Sequence, residues 1–187
     1  ARIIFRDFSR LADLVQTTRD LSGLADSCIE IALKFHYDKN VARFGQPVDR
    51  SGKAQQMTVL GLGKLGAQEL NVSSDIDLIF FYNESGEVMG ESGVSNQEFF
   101  IRTSRQLIKT LDEPTASGFV FRVDMRLRPY GESSPLVMNR TSMEKYFFEQ
   151  GRDWERYAFV KARSVAGDKN LGRAFLEWMK PFVFRPL

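Results

Sequence analysis

Apolar positions at the start of the chain fall into two helical runs. Ile4, Phe8, Leu11 and Val15 recur at helical spacing, and Leu21, Leu24, Cys28, Ile31 and Phe35 repeat the pattern, which predicts two packed helices within the first fifty residues. Residues 50–56 turn polar around Ser51 and Gly52 and read as a connection. Residues 57–62 are short and apolar and run into Gly61, Gly63, Lys64 and Gly66, which predicts a strand, a glycine turn and the start of a helix. Residues 75–82 read as a second strand, with Ile76, Leu78 and Phe80 on one face and Asp75 and Asp77 on the other.

A loop is expected over residues 83–93. Ser95 precedes Glu98 by three positions, a capping-box pattern, and Phe100, Leu107, Ile108 and Leu111 give the following helix an apolar stripe that stops before Pro114. The most regular alternation in the chain spans residues 119–127, with Phe119, Phe121, Val123, Met125 and Leu127 on one face and Arg122, Asp124 and Arg126 on the other. After a turn through Pro129 and Gly131, Thr141 with Glu144 repeats the capping-box pattern, and further helices are predicted at about 152–164 and 168–179. This order of elements gives an α+β class. It divides into an N-terminal helical segment (1–50), a mixed-sheet core (51–140) and a C-terminal helical segment (141–187). The chain starts without methionine and stops on PFVFRPL, as expected of a piece of a longer polypeptide.

Composition narrows the possibilities. The 187 residues are 43% hydrophobic and 27% charged, close to ordinary globular usage, which disfavours disorder. No apolar run approaches the roughly 18–20 residues a bilayer demands, and no secretory signal is readable, so no membrane partner and a cytoplasmic location are expected. Cys28 is the sole cysteine, which excludes an internal disulfide framework and leaves no cysteine-based zinc site. A net charge of +2 is too small to mark a nucleic-acid binder. His36, the single histidine, is read as structural or exposed and given no role.

The chemistry concentrates in the predicted strands. Residues two apart on a strand point the same way, so Asp75 and Asp77 place two carboxylates on one surface. Such a pair repels itself, and hard oxygen ligands of this kind suit Mg²⁺ or Mn²⁺. Asp124 completes the set if its strand is a neighbour. Alone, an Asp-x-Asp pair more often marks a solvated strand edge. The glycine turn ahead of it lets backbone N–H groups converge on a phosphate, with Lys64 as an added charge, but the same turn alone is also compatible with simple tight geometry. Neither the dinucleotide-binding nor the P-loop glycine pattern is present.

The run GLGKLGAQELNVSSDIDLIFFY is similar to the signature of the DNA polymerase β-like nucleotidyltransferase superfamily, with Asp124 in the place of the third acid. Within that superfamily GKLG, ELN, SSDIDLIF, FRVDMRLRP, GES-x-PLV and GRDWERYA-x-VKAR together resemble glutamine synthetase adenylyltransferase, from about Met57 to the C-terminus. The resemblance implies a polymerase β-like mixed sheet with flanking helices and a metal-dependent nucleotidyltransferase. Asp75, Asp77 and Asp124 would be catalytic and would hold Mg²⁺ or Mn²⁺. Gly63, Lys64, Gly66, Ser74, Arg126 and Arg128 would face nucleotide or phosphate.

That family's enzymes carry two related halves. The wording GRDWERYA and PFVFR resembles the N-terminal half, which removes AMP from glutamine synthetase with inorganic phosphate and releases ADP. The alternatives are the half that attaches AMP from ATP and a fragment that binds nucleotide without turnover. A nucleic-acid polymerase is disfavoured. In the family the PII signal protein and glutamine regulate the full-length enzyme, and no residue here is assigned to either.

Overall fold

The structure, a computed structural model, describes residues 2–90 and 93–185. Helix α1 (Arg2–Phe8) leads to the 31-residue helix α2 (Leu14–Phe44), which is capped by Asp13 accepting from the Gln16 amide and ends at Gly45, φ 106°. The two helices expected over the first fifty residues are present, but the buried stripe is a different one. Helix α2 buries Leu21, Ala25, Ile29, Ala32 and Leu33, while Leu24, Ile31 and Phe35 are exposed, as are Ile4, Phe8, Leu11 and Val15. The small Ala25 and Ala32 give α2 its close approach to the rest of the core, a signal that a search for large apolar residues overlooks.

A two-stranded ribbon pairs β1 (Gln46–Pro47), which falls in the stretch expected to be helical, with β4 (Val88–Met89) in the expected loop; residues 91 and 92 of that loop are outside the described residues. Strand β2 (Met57–Gly61) passes through the short helix α3 (Gly63–Ala67) to β3 (Ile76–Tyr82), and β2 and β3 pair antiparallel. Helix α4 (Asn96–Asp112) starts as expected, with Ser95 accepting from the Glu98 amide, and buries Phe99, Phe100, Leu107 and Leu111.

The expected strand over residues 119–127 is reduced to β5 (Val123–Asp124), which pairs parallel with the start of β3. Before it, the amides of Val120 and Phe121 both donate to Leu111 O at the end of α4. After it, the Arg126 amide folds back onto Asp124 Oδ1 at 2.8 Å, which turns the chain away from the sheet. The chain returns as β6 (Val137–Asn139), parallel to the far end of the same β3. The edge beside β3 is therefore one interrupted strand from which residues 125–136 loop out.

The C-terminal part corrects the sequence reading in three places. Helix α5 (Arg140–Gln150) is capped by Asn139, which accepts from the Ser142 amide, so Thr141 lies inside the helix and Glu144 pairs with Arg140. The helix expected over 152–164 stops as α6 (Asp153–Phe159), and β7 (Arg163–Gly167) follows, antiparallel to β2. β-Branched Val165 and Gly167, with φ 73°, suit a strand end, whereas the charged density upstream of them mimics a helix. Trp154 and Tyr157, large aromatic residues of the kind that usually pack, are exposed on α6. Helix α7 (Lys169–Val183) closes the chain.

The sheet order is β5-β3-β2-β7, with β6 also on β3. Both faces are covered. Ile76, Leu78, Phe80 and Tyr82 join Ile29, Leu33, Phe99, Phe100 and Leu107 from α2 and α4. Leu60, Ile79 and Phe81 join Met143, Phe147, Phe159, Phe175 and Met179 from α5, α6 and α7. Burial on both faces explains why β3 reads as almost continuously apolar, with Asp77 the one break in its run. The first cluster draws on all three stretches of the chain, from Leu21 to Ala166. The fold is α+β, a mixed sheet with flanking helices, and no described helix is long and apolar enough to cross a membrane.

The corrected α2 stripe is testable. Ile29→Ala is expected to lower stability by about 2–5 kcal/mol through lost burial and a residual cavity, and Phe35→Ala to change it by no more than about 0.5 kcal/mol. Urea denaturation of the two variants measures this, and equal effects would place the core on the other face of α2.

Candidate active site

Asp77 and Asp124 face each other across one rung of the β3–β5 ladder, because the parallel register sets Asp77 opposite Asp124 and Ile76 opposite Val123. Directly opposed residues on neighbouring strands point to the same face with backbones about 4.8 Å apart. Asp75, two residues before Asp77, shares that face. The expected convergence of three carboxylates on one side of the sheet is thus met at the level of the backbone.

The side chains are individually engaged. Arg122 grips Asp75 Oδ1 through Nε at 2.5 Å while its Nη2 donates to Ser73 O. Arg126 holds Asp124 through Nε to Oδ2 at 2.9 Å and Nη2 to Oδ2 at 2.5 Å, in addition to its amide on Oδ1. Asp77 sits against Gly63, where a Cβ would come within 2.6 Å of its Oδ2; the turn at Gly63, φ 52°, has to be glycine for both reasons. Among the described residues no three acidic, histidine or cysteine side chains are grouped to hold a metal ion as they stand. The donor set itself, carboxylate oxygens on one sheet face, suits a hard divalent cation once Asp75 and Asp124 turn off their arginines.

These contacts split the protonation behaviour of the acids. Burial first, then the charges of Asp124 and Asp75, push the Asp77 carboxyl above the usual carboxylate range, with Arg126 and Lys64 drawing it partly back. Asp124 moves the other way, held down by the Arg126 hydrogen bonds against a smaller effect of burial. An acidic pair driven apart in this way is a mark of functional sites.

Asp75 and Asp124 line a cleft of about 600 Å³ whose other polar walls are Asp112, Arg122, Arg126, Arg128 and Glu132. Arg128 reaches it from the looped-out segment, with Nη1 on Met125 O at 2.7 Å and a buried Nε without a partner among the described residues. Lys64 is exposed, and its charge reaches Asp77. Gly66 and Ser74 have structural occupations. The Gly66 amide donates to Leu62 O, and a Cβ there would meet Lys161 O at 2.5 Å, so Gly66 is where α3 crosses the chain leading into β7. Ser74 Oγ donates to Asn71 Oδ1 in the turn before β3.

Two acids on the cleft wall were not singled out as candidates. Asp112 ends α4 and accepts from the Val123 amide at 3.2 Å, which fixes where β5 begins; nothing in its helical setting signals this. Glu132 lies within the GES-x-PLV run, and that motif was the available signal. His36 bonds Thr110 Oγ1 at 2.8 Å, between α2 and α4, as a structural residue would.

A model of the glutamate–ammonia ligase adenylyltransferase family matches residues 1–178. The chain belongs to that family. Its relatives include proteins named bifunctional glutamine synthetase adenylyltransferase/adenylyl-removing enzyme from Pseudomonas syringae pv. tomato and Pseudomonas aeruginosa, each 56% identical over 186 residues, or 98% of this chain. A third, of the same name, from Acinetobacter baylyi is 51% identical over 189 residues. The chain spans about a fifth of the length of these relatives, 19% of the first two and 20% of the third. The family match also takes in α1 and α2, which the motif resemblance starting near Met57 left out.

The split between the acids fixes the sign of a pH effect in this adenylyltransferase-family chain. An acid whose folded-state pKa is raised is penalised once ionised, so Asp77 costs stability above that pKa and nothing below its unfolded value near ~4. Asp124, depressed, contributes stability that is present above its unfolded value and lost as pH falls through the lower folded one. At neutral pH Asp77→Asn is therefore expected to raise the urea midpoint and Asp124→Asn to lower it, with the Asp77 difference closing first on acidification. A destabilised Asp77→Asn protein at neutral pH would contradict this.

Proposed function

We propose that this chain is the part of an adenylyltransferase-family enzyme that removes AMP from glutamine synthetase by phosphorolysis. The observation that carries the reading is the Asp77–Asp124 rung at the edge of a cleft walled by Arg122, Arg126 and Arg128. In the reaction an oxygen of inorganic phosphate forms a bond to the phosphorus of the AMP–tyrosine diester. The bond from that phosphorus to the tyrosine oxygen breaks, the tyrosine takes a proton, and ADP leaves.

The nucleophile is already an anion at neutral pH, so the site has no need of a strong general base. Its task is to bring two anions together. Asp75, Asp77 and Asp124 would hold Mg²⁺ or Mn²⁺, which neutralises charge building on the transferred phosphoryl group. Arg126 and Arg128 bind phosphoryl oxygens from the other side as charge-assisted donors. Arg126 is well placed for such an exchange because it is exposed at the cleft and leaves one carboxylate, Asp124, for another anion. Lys64 adds positive charge beside the glycine turn. The wording of the GRDWERYA and PFVFR motifs supports the removing half over the attaching half.

The test is phosphate-dependent release of ADP from adenylylated glutamine synthetase in the presence of Mg²⁺ or Mn²⁺. Wild type should release ADP, and Asp75→Asn or Asp77→Asn should lower the rate by at least about a hundredfold while the chain stays folded by circular dichroism. ATP-dependent labelling of unmodified glutamine synthetase, with no release, would assign the chain to the attaching reaction instead.

A further inference from the structure

The cleft wall that carries Arg126, Arg128 and Glu132 has no sheet partner of its own, since residues 125–136 loop out between β5 and β6. Its internal bonds are all local: the Gly131 amide on Arg128 O at 2.8 Å, the Arg128 amide and Nη1 on Met125 O at 3.4 and 2.7 Å, the Ser133 amide on Tyr130 O at 3.3 Å and Ser134 Oγ on Gly131 O at 3.1 Å. At its apex Tyr130, φ 59°, and Gly131, φ 56°, are both left-handed, a conformation that a tyrosine keeps only when the surroundings hold it.

The hold comes from α5 and α6. The Tyr130 ring meets the Tyr146 ring edge to face, centroids 4.5 Å apart, and Gln150 Nε2 donates to the Tyr130 hydroxyl at 3.2 Å. Tyr146, 5% exposed, donates its hydroxyl to Glu155 Oε1 at 2.9 Å. Glu155 is 1% exposed, and its Oε2 accepts from the Arg152 amide at 2.7 Å. Capping α6 alone needs only one oxygen of a short surface side chain. Burying a whole carboxylate is costly, and its second oxygen is spent on aiming Tyr146.

We infer that Tyr146 and Glu155 are positioning residues for the nucleotide site: through the Tyr130 ring they fix the left-handed turn that presents Arg128 and Glu132 to the cleft. The inference rests on reading that cleft as the nucleotide site, and it gives the glutamate of the GRDWERYA run a part in the cleft it never touches. Tyr130 is the sole aromatic residue of the looped-out segment, and its contacts with Tyr146 and Gln150, beside the packing of Leu127 on the same helical cluster, tie that segment to α5 and α6.

The test uses Tyr146→Phe, Tyr130→Ala, Tyr130→Phe and the Tyr146→Phe/Tyr130→Ala double variant, with ADP and Mn²⁺ affinities and amide hydrogen exchange as readouts. Tyr146→Phe and Tyr130→Ala should each weaken ADP binding about five- to tenfold, the loss of roughly one hydrogen bond or ring contact, and leave Mn²⁺ affinity unchanged. The double variant should be no worse than the stronger single one, because both break one linkage. Tyr130→Phe, which keeps the ring and loses only the exposed 3.2 Å bond from Gln150, should weaken ADP binding less than Tyr130→Ala. Exchange should quicken at residues 126–133 and not in β2 or β3. Wild-type exchange at residues 126–133 in both Tyr146→Phe and Tyr130→Ala, or ADP losses that multiply in the double variant, would overturn the inference. Should wild type fail to bind ADP, the nucleotide reading falls, and the exchange pattern alone still decides the positioning role.

Discussion

Two carboxylates are forced onto one rung of a parallel ladder, and much of the rest of the structure answers to that constraint. Asp77 is placed by β3, whose remaining residues are locked into apolar cores on both faces, so it cannot slip in register without turning Ile76, Leu78 and Phe80 out of the core. Asp124 is placed by a two-residue strand held at its start by Asp112 and at its end by its own Arg126 turn. With Asp75 beside them, the acids would repel at neutral pH unless opposed by positive charge. In the structure that charge is supplied by Arg122 on Asp75 and Arg126 on Asp124.

Asp77, which no arginine pairs among the described residues, carries the raised proton affinity, and it is the acid packed against the glycine turn. The arginines thus occupy the side of the carboxylates where cation and substrate phosphate would be exchanged. On the proposed reading these guanidinium groups would pass from carboxylate to phosphoryl oxygen as the cleft fills, which would preorganise the site for a reaction between anions. The geometry of the looped-out wall sets how Arg128 is presented to the cleft, and Tyr130 ties that wall to α5.

Much of this was legible in the residues. The parity of Asp75 and Asp77 follows from strand geometry, the Ser95 cap from its spacing to Glu98, and the polar face of residues 122–126 from alternation. What failed has physical causes. The stripe on α2 was misplaced because alanines make the close packing there. The strand at 119–127 shrank because alternation records which side a residue faces, while ladder length depends on where the chain finds hydrogen-bond partners, here Leu111 O and Asp124 itself. β7 was read as helix because dense charge upstream of it looks like a helix face. Glu155 stands among several charges in its run, and no local pattern announces that Tyr146, nine residues away, bonds it in the interior.

The central claim is that Asp77 and Asp124 jointly receive one divalent cation beside the glycine turn. Crystals of the chain soaked with Mn²⁺ test it most directly, by the position of the anomalous scattering peak. A peak is expected about 2.0–2.2 Å from oxygens of both Asp77 and Asp124, with the Arg126 guanidinium displaced from Asp124. A peak bound elsewhere, or none at saturating Mn²⁺ with Arg126 still on Asp124, would contradict it.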